Sequence, residues 1–168
     1  AGLMVHRTGG PSVKPWQPPG LWQDAGVGWG GADYRPDTGP AAHRRSLYTF
    51  RKRTAPPPDL LVFDAPTRET CIVRRQVTDT PLQALVAWND PVFTECAKAL
   101  AVRAEQELPA AGEGERIAFV FAALAARPPR PAETAALAAL AAAARDSGQP
   151  LVLVASTLMA SDAVVMVR

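Results

Sequence analysis

Apolar positions along the chain change their rhythm near residue 80. Beyond it they recur at helical spacing: Leu82, Leu85, Val86 and Trp88; then Val92 or Phe93, Cys96, Ala99, Leu100 and Val102 or Arg103; then Ile117, Val120, Phe121 and Leu124; then Leu137 and Leu140; and a closing run from 151 to 160. Steps of three and four residues put side chains on one side of a helix, so each stretch predicts an element with a buried face. The punctuation agrees. Thr80-Pro81 and Asp90-Pro91 each offer a capping side chain followed by proline, which at the first helical position lacks only a donor that is not used there. A helix over about 91 to 107 follows the second of these signals. "PAAGEGE" and "RPPRPAE" stop and restart the pattern, and Gly148 and Pro150 end an Ala-rich run whose contact face is narrow. The expectation is a mainly α fold, with a small helical bundle over about 80–168.

Before residue 80 no such period holds. Prolines at 11, 15, 18 and 19 each fix their own φ and push the preceding residue towards extended conformations, so residues 9 to 20 read as a non-helical arm. Such an arm needs anchors, and Trp16, Leu21, Trp22 and Trp29 have the area to offset the entropy of ordering it. "HRRSLYTFRKRT", residues 43 to 54, fits a strand or a helix with Leu47, Tyr48 and Arg51 on one face, and we read it as helix. Leu60, Leu61, Val62 and Phe63 read as a short extended piece. The glycines of "GVGWGG" lack the flanking elements of a nucleotide-binding loop and suit a tight turn around Trp29. Residues 1–79 are thus an extended, Pro/Gly/Trp/Arg-rich irregular part, expected to pack on the bundle as one compact unit.

Composition narrows the function classes. A chain of 168 residues can bury a core without staples, and its net charge of +2 makes no global case for nucleic acid. Cys71 and Cys96 belong to no CxxC, CxxCH or Cys/His pattern, so covalent haem and structural zinc are not expected in this chain. Both apolar runs, 117 to 126 and 150 to 160, fall short of the roughly 20 residues of a spanning helix. Ala1 does not open a signal peptide, and the chain starts as though in mid-protein.

Local chemistry is sparse. The basic cluster His43, Arg44, Arg45, Arg51, Lys52 and Arg53 is interleaved with Tyr48 and Phe50, a combination suited to phosphate or base contact. Acids at Asp37, Asp59, Asp64 and Glu69 are near enough in sequence to neutralise it, so nucleic acid is not the expected partner. Arg74 and Arg75 are read as structural clamps, paired with Asp64, Glu69 or Asp79 and holding the irregular part against the bundle. The carboxylates follow no calcium-loop spacing, and neither His6 nor His43 is framed as part of a nucleophile triad.

Taken together, "GGPSVKPWQPPGLW", "YRPDTG", "RRSLYTFRKRTAPPP" and "FDAPTRETCIVRRQVTDTPLQALVAWNDPVF" form an ordered set that closely resembles the C-terminal domain of unknown function of planctomycete cytochrome c-like proteins. The resemblance is dense from about residue 6 to 104 and looser beyond. It implies a C-terminal fragment of a larger exported protein, periplasmic or at the cell surface, with haem carried by a different module and no cofactor in this chain. It supplies no catalytic residues, and the leaning is towards a protein that is not an enzyme. The leading expectation is a non-catalytic interaction or scaffolding module whose partners are other protein domains or subunits, met through Trp16, Trp22, Trp29, Arg44, Arg45, Arg51 and Arg53. One alternative is part of a carbohydrate-acting enzyme whose site is shared with a missing upstream segment, with Trp16, Trp22 and Trp29 stacked on sugar rings and Asp37 or Asp64 as acid or base. A weaker one is polyanion or nucleic-acid binding through residues 43–53.

Overall fold

Proline opens five of the helices in the computed structural model, which describes residues 1–21, 34–52, 55–74 and 76–165. These are α1 (Pro58–Val62), α2 (Pro81–Asn89), α3 (Pro91–Glu107), α5 (Pro131–Ala143) and α6 (Pro150–Met159); α4 (Glu113–Ala125) and α7 (Asp162–Val165) are the other named α-helices among the described residues. No strand forms among the described residues, only isolated bridges. The chain divides into two compact units, residues 3–78 and residues 79–168 with 1–2.

In the helical unit the sequence sets each start. Thr80 Oγ1 accepts from Gln83 N–H at 3.3 Å while Gln83 Oε1 accepts from Thr80 N–H at 2.9 Å, a complete capping box for α2. Asp90 then serves two helices: its N–H closes α2 on Val86 O, and its Oδ1 accepts from Val92 N–H at 2.7 Å to open α3. Arg116 closes the α3–α4 turn by donating to the carbonyls of Leu108 and Pro109. Across the α4–α5 turn, Arg127 forks onto both Glu133 oxygens at 2.8 and 2.6 Å, with its guanidinium 4.8 Å from the Phe121 ring. That hydrogen-bonded fork, with a further bond from Arg130 N–H, holds the Glu133 carboxyl down at about 2.

The core sits around α6. Leu151, Val154, Ala155, Leu158 and Met159 are buried on it, and it contacts α2, α3, α4 and α5. A helix apolar on every side belongs in the centre of a bundle. Its neighbours meet it with small residues: Ala97, Ala101 and Ala104 beside Leu100 on α3, and Ala141 beside Leu137 on α5. Ile117, Val120 and Phe121 of α4 supply the bulk that fills the remaining space.

Four expectations are corrected. On α2 the buried residues are Gln83 and Ala87, while Leu82, Leu85 and Trp88 point outward, because the capping amide and a small alanine let the helix lie close to its neighbours. On α3 the buried face is rotated onto the alanines, leaving Val102 exposed and Cys96 half-buried. Residues 43–52 are not helical beyond a 3-10 turn at Ser46–Tyr48, since Tyr48 O and Phe50 N–H bond to Val13 instead of to residues one turn away. Residues 58–62 coil rather than extend: Pro58 sits at the first position, Asp59 in the first turn. That helix ends in a Schellman motif, Ala65 N–H on Leu60 O and Asp64 N–H on Leu61 O, with Asp64 at φ 57°.

Two outcomes follow from the helix ends. Ala126 terminates α4 at φ 54°, a left-handed conformation that an L-residue adopts at a cost of about 1 kcal/mol, so Ala126→Gly is expected to raise stability by roughly 0.5–1 kcal/mol in urea unfolding. Burial pushes the Asp90 carboxyl up in spite of the hydrogen bonds from Val92 and Phe93 N–H. A neutral cap therefore suits the site, and Asp90→Asn is expected to leave stability within about 0.5 kcal/mol while Asp90→Ala lowers it by about 1.

Candidate functional site

In the irregular unit, side chains do what ladders do elsewhere. The arm meets residues 43–50 through Val5 N–H on His43 O at 2.7 Å, Val13 N–H on Tyr48 O at 2.8 Å and Phe50 N–H on Val13 O at 2.7 Å. Between these ties the backbone loops out at Gly9 and Gly10, both at positive φ, and turns its carbonyls towards Arg44. Arg44 Nη1 donates to Pro11 O at 2.9 Å, and its Nη2 donates to Arg7 O at 2.7 Å and Gly9 O at 2.6 Å. The same guanidinium lies 3.7 Å from the Tyr48 ring centroid, and the Tyr48 hydroxyl accepts from Gly9 N–H at 3.0 Å. Arg44 and Tyr48 together form a latch that holds three loop carbonyls and one amide.

The next stretch of the arm is fixed by acids and rings. Asp37 Oδ2 accepts from Lys14 N–H at 2.7 Å, Lys14 O accepts from Asp37 N–H at 2.8 Å, and the Tyr34 hydroxyl donates to Pro15 O at 2.6 Å. Burial pushes the Tyr34 hydroxyl well above its ordinary range, with Asp59 and Asp37 adding to the shift. The Lys14 ammonium lies 5.4 Å from the Phe50 ring centroid and 6.0 Å from that of Tyr34.

The sequence-predicted residues therefore separate. Arg44 is consumed by the latch. Arg51 turns inward: its Nε and Nη2 are buried without a hydrogen-bond partner, and burial together with nearby Arg68 draws its pKa below the usual arginine value. Arg45 is exposed and Trp16 is 38% exposed, whereas Trp22, Trp29, Arg53 and Arg75 lie outside the described residues. Asp64 Oδ2 accepts from both Thr78 N–H and Thr78 Oγ1 at 2.8 Å, within the irregular unit, while Arg74 and Glu69, expected in the clamp, are exposed and in no described ion pair. Asp37 and Asp64, candidates for acid or base, each hold a backbone amide. Among the described residues no group of three or more His, Cys, Asp or Glu side chains is placed to hold a metal.

In the helical unit the feature that sequence reasoning missed is the outer face of α2. Leu82, Leu85 and Trp88, at steps of three, are 55%, 58% and 53% exposed. No charged side chain falls between Thr80 and Asn89, so nothing on this helix breaks the apolar surface. The usable signal was Gln83: a capping-box glutamine sits on the side of the first turn that faces the preceding chain, and Ala87 one turn later marks the same side as buried.

The comparisons place the chain by sequence. Residues 1–141 match the model of PSD1, a protein of unknown function (DUF1553), a span that runs from the arm into α5. No curated protein and no solved structure matches.

The latch predicts a local effect. Arg44→Ala leaves three carbonyls of residues 7–11 without their donor, so amide exchange at Gly9 and its neighbours is expected to speed up at least tenfold with little change in the helical unit. Arg44→Lys should rescue only part of the protection, because one ammonium cannot both stack on Tyr48 and reach three acceptors in the plane of a fork. Hydrogen exchange read by mass spectrometry measures both.

Proposed function

The chain belongs to the PSD1 family of proteins of unknown function, and from that premise we propose that it is a non-catalytic interaction module docking on another protein domain through the outer face of α2. The observation that carries this reading is the exposure of Leu82, Leu85 and Trp88 on one helix face. Single exposed apolar residues are ordinary, but three large ones in register on a helix are the pattern by which a helix face meets a groove or a second helix. Burying what remains exposed would contribute on the order of 1 kcal/mol per side chain, with Trp88 in the position of an anchor.

The setting follows from the resemblance of the Trp/Pro/Arg-rich motifs to the C-terminal domain of cytochrome c-like proteins. It supports an exported, periplasmic or cell-surface assembly in which haem belongs to a different module and this chain contributes contacts rather than chemistry. The arm fits that division of labour. Arg44, Asp37 and Asp64 are spent on its own backbone.

A photo-crosslinking amino acid in place of Leu85, introduced in cells, tests the proposal. The expected result is one dominant adduct with an exported protein, haem-containing if the cytochrome setting holds, and no such adduct from the same group in place of exposed Glu107. Adding Leu82→Ser and Trp88→Ser should abolish the adduct while leaving thermal unfolding within about 2 °C, since neither side chain is in the core. Equal crosslinking from both positions, or none from position 85, would overturn the docking role.

A further inference from the structure

The outer edge of α3 carries Lys98, Val102 and Glu105, one turn apart and all exposed, Val102 at 49%. Lys98 and Glu105 take part in no hydrogen bond or ion pair among the described residues. Their neighbours are already committed: Glu113 is bonded to Arg145 at 3.0 Å, and Arg116 to the carbonyls of Leu108 and Pro109. Beside this edge runs a groove of about 520 Å³ between α3, the first turn of α4 and the start of α6, with Ala101 and Leu151 among its lining.

Seven residues separate Lys98 from Glu105, about 10 Å along the helix axis, which is too far for them to pair with each other. They lie at equal distances from the Ala101–Val102 step, one positive and one negative. That is the arrangement a two-fold axis requires, because in an isologous contact residue i meets residue j while j meets i. Laid antiparallel across an axis at Ala101–Val102, two copies of α3 set each Lys98 opposite Glu105 of the other copy. Val102 then falls next to the axis, against the apolar wall of the neighbouring groove. A parallel pairing would instead set lysine against lysine and glutamate against glutamate.

We propose that α3 is a self-association surface, pairing antiparallel with α3 of a second copy of this chain through reciprocal Lys98–Glu105 contacts around Val102. The contact is distinct from the outer face of α2 and does not depend on it. Its area is that of one helix edge and one groove, less than a standard interface, so association is weak and concentration-dependent. The reciprocal charges lie at the solvent edge of the contact and fix its direction, and salt screens them.

Sedimentation equilibrium of the chain, in low salt and in 1 M salt, tests the pairing. The wild-type chain is expected to dimerise reversibly, more weakly in high salt. Lys98→Glu and Glu105→Lys, each of which puts like charges opposite one another twice per dimer, should weaken association at least about tenfold in low salt. An equimolar mixture of these two variants should associate again, because two acids on one copy then face two lysines on the other. The double variant Lys98→Glu/Glu105→Lys should dimerise as the wild type does. Both positions of the test are exposed, and unchanged helical circular dichroism confirms that each variant is folded. A wild-type chain that stays monomeric at the highest concentration in low salt overturns the proposal. So does a mixture that associates no better than its components, or single reversals that leave association unchanged.

Discussion

The packing of α6 among four other helices is the constraint on which the helical unit depends. A ten-residue helix with Leu151, Val154, Ala155, Leu158 and Met159 inside it can be surrounded only if its neighbours come close, and closeness requires small residues on their contact faces. Ala97, Ala101 and Ala104 on α3 and Ala141 on α5 meet that requirement. The cost appears on the outside. With alanines spent inward, the large apolar side chains of α2 and Val102 of α3 have no room in the core and are left facing solvent. The exposed apolar faces and the tight core are thus two consequences of one packing choice, and filling Ala87 or Ala101 with a larger residue would push α6 away from partners it cannot replace.

The irregular unit obeys a different constraint. Outside the short helix α1 and two 3-10 turns, its described backbone has little regular structure to satisfy its polar groups, and an unpaired buried amide or carbonyl costs as much as a lost hydrogen bond. Side chains take over: Arg44 for the carbonyls of residues 7, 9 and 11, Asp37 for the amide of Lys14, Tyr34 for the carbonyl of Pro15 and Asp64 for the amide of Thr78. This explains why so much of the charge in a Pro/Gly-rich segment does no external work. An arginine whose Nη groups are taken by backbone carbonyls has little left for phosphate, and a carboxylate that accepts a backbone amide is held in place. The match is not complete: Arg44 Nε and Arg51 Nε and Nη2 are buried without a hydrogen-bond partner.

How much of this could be read in advance differs by physical cause. Helix starts are local, so Thr80-Pro81 and Asp90-Pro91 were legible down to the capping atoms, and the span 91–107 follows from them. Which face is buried is not local. The apolar positions of α2 form a convincing stripe, yet the stripe faces out, because the choice is made by α6, more than sixty residues later in the chain. The segment 43–52 was misread for a related reason: its own residues fit a helix, but Val13 offers two backbone bonds that an isolated helix-coil comparison never sees. The helix at 58–62 was legible in principle, since Pro58 and Asp59 are ordinary first-turn residues, and its apolar content drew the reading towards a strand.

These causes bear on what kind of surface the molecule presents. Among the described polar groups, Arg44, Asp37, Tyr34 and Asp64 satisfy backbone, and Arg127, Glu133 and Arg116 close turns. Among the surfaces that remain open in the helical unit are the face of Leu82, Leu85 and Trp88 and the Lys98–Val102–Glu105 edge. Surfaces of that composition gain free energy by excluding water from a complementary surface, and their specificity comes from shape and from where the few charges fall. A helical unit whose core forces its larger side chains outward is therefore suited to contact, and the same alanines that close its interior are what place those side chains where a partner can cover them.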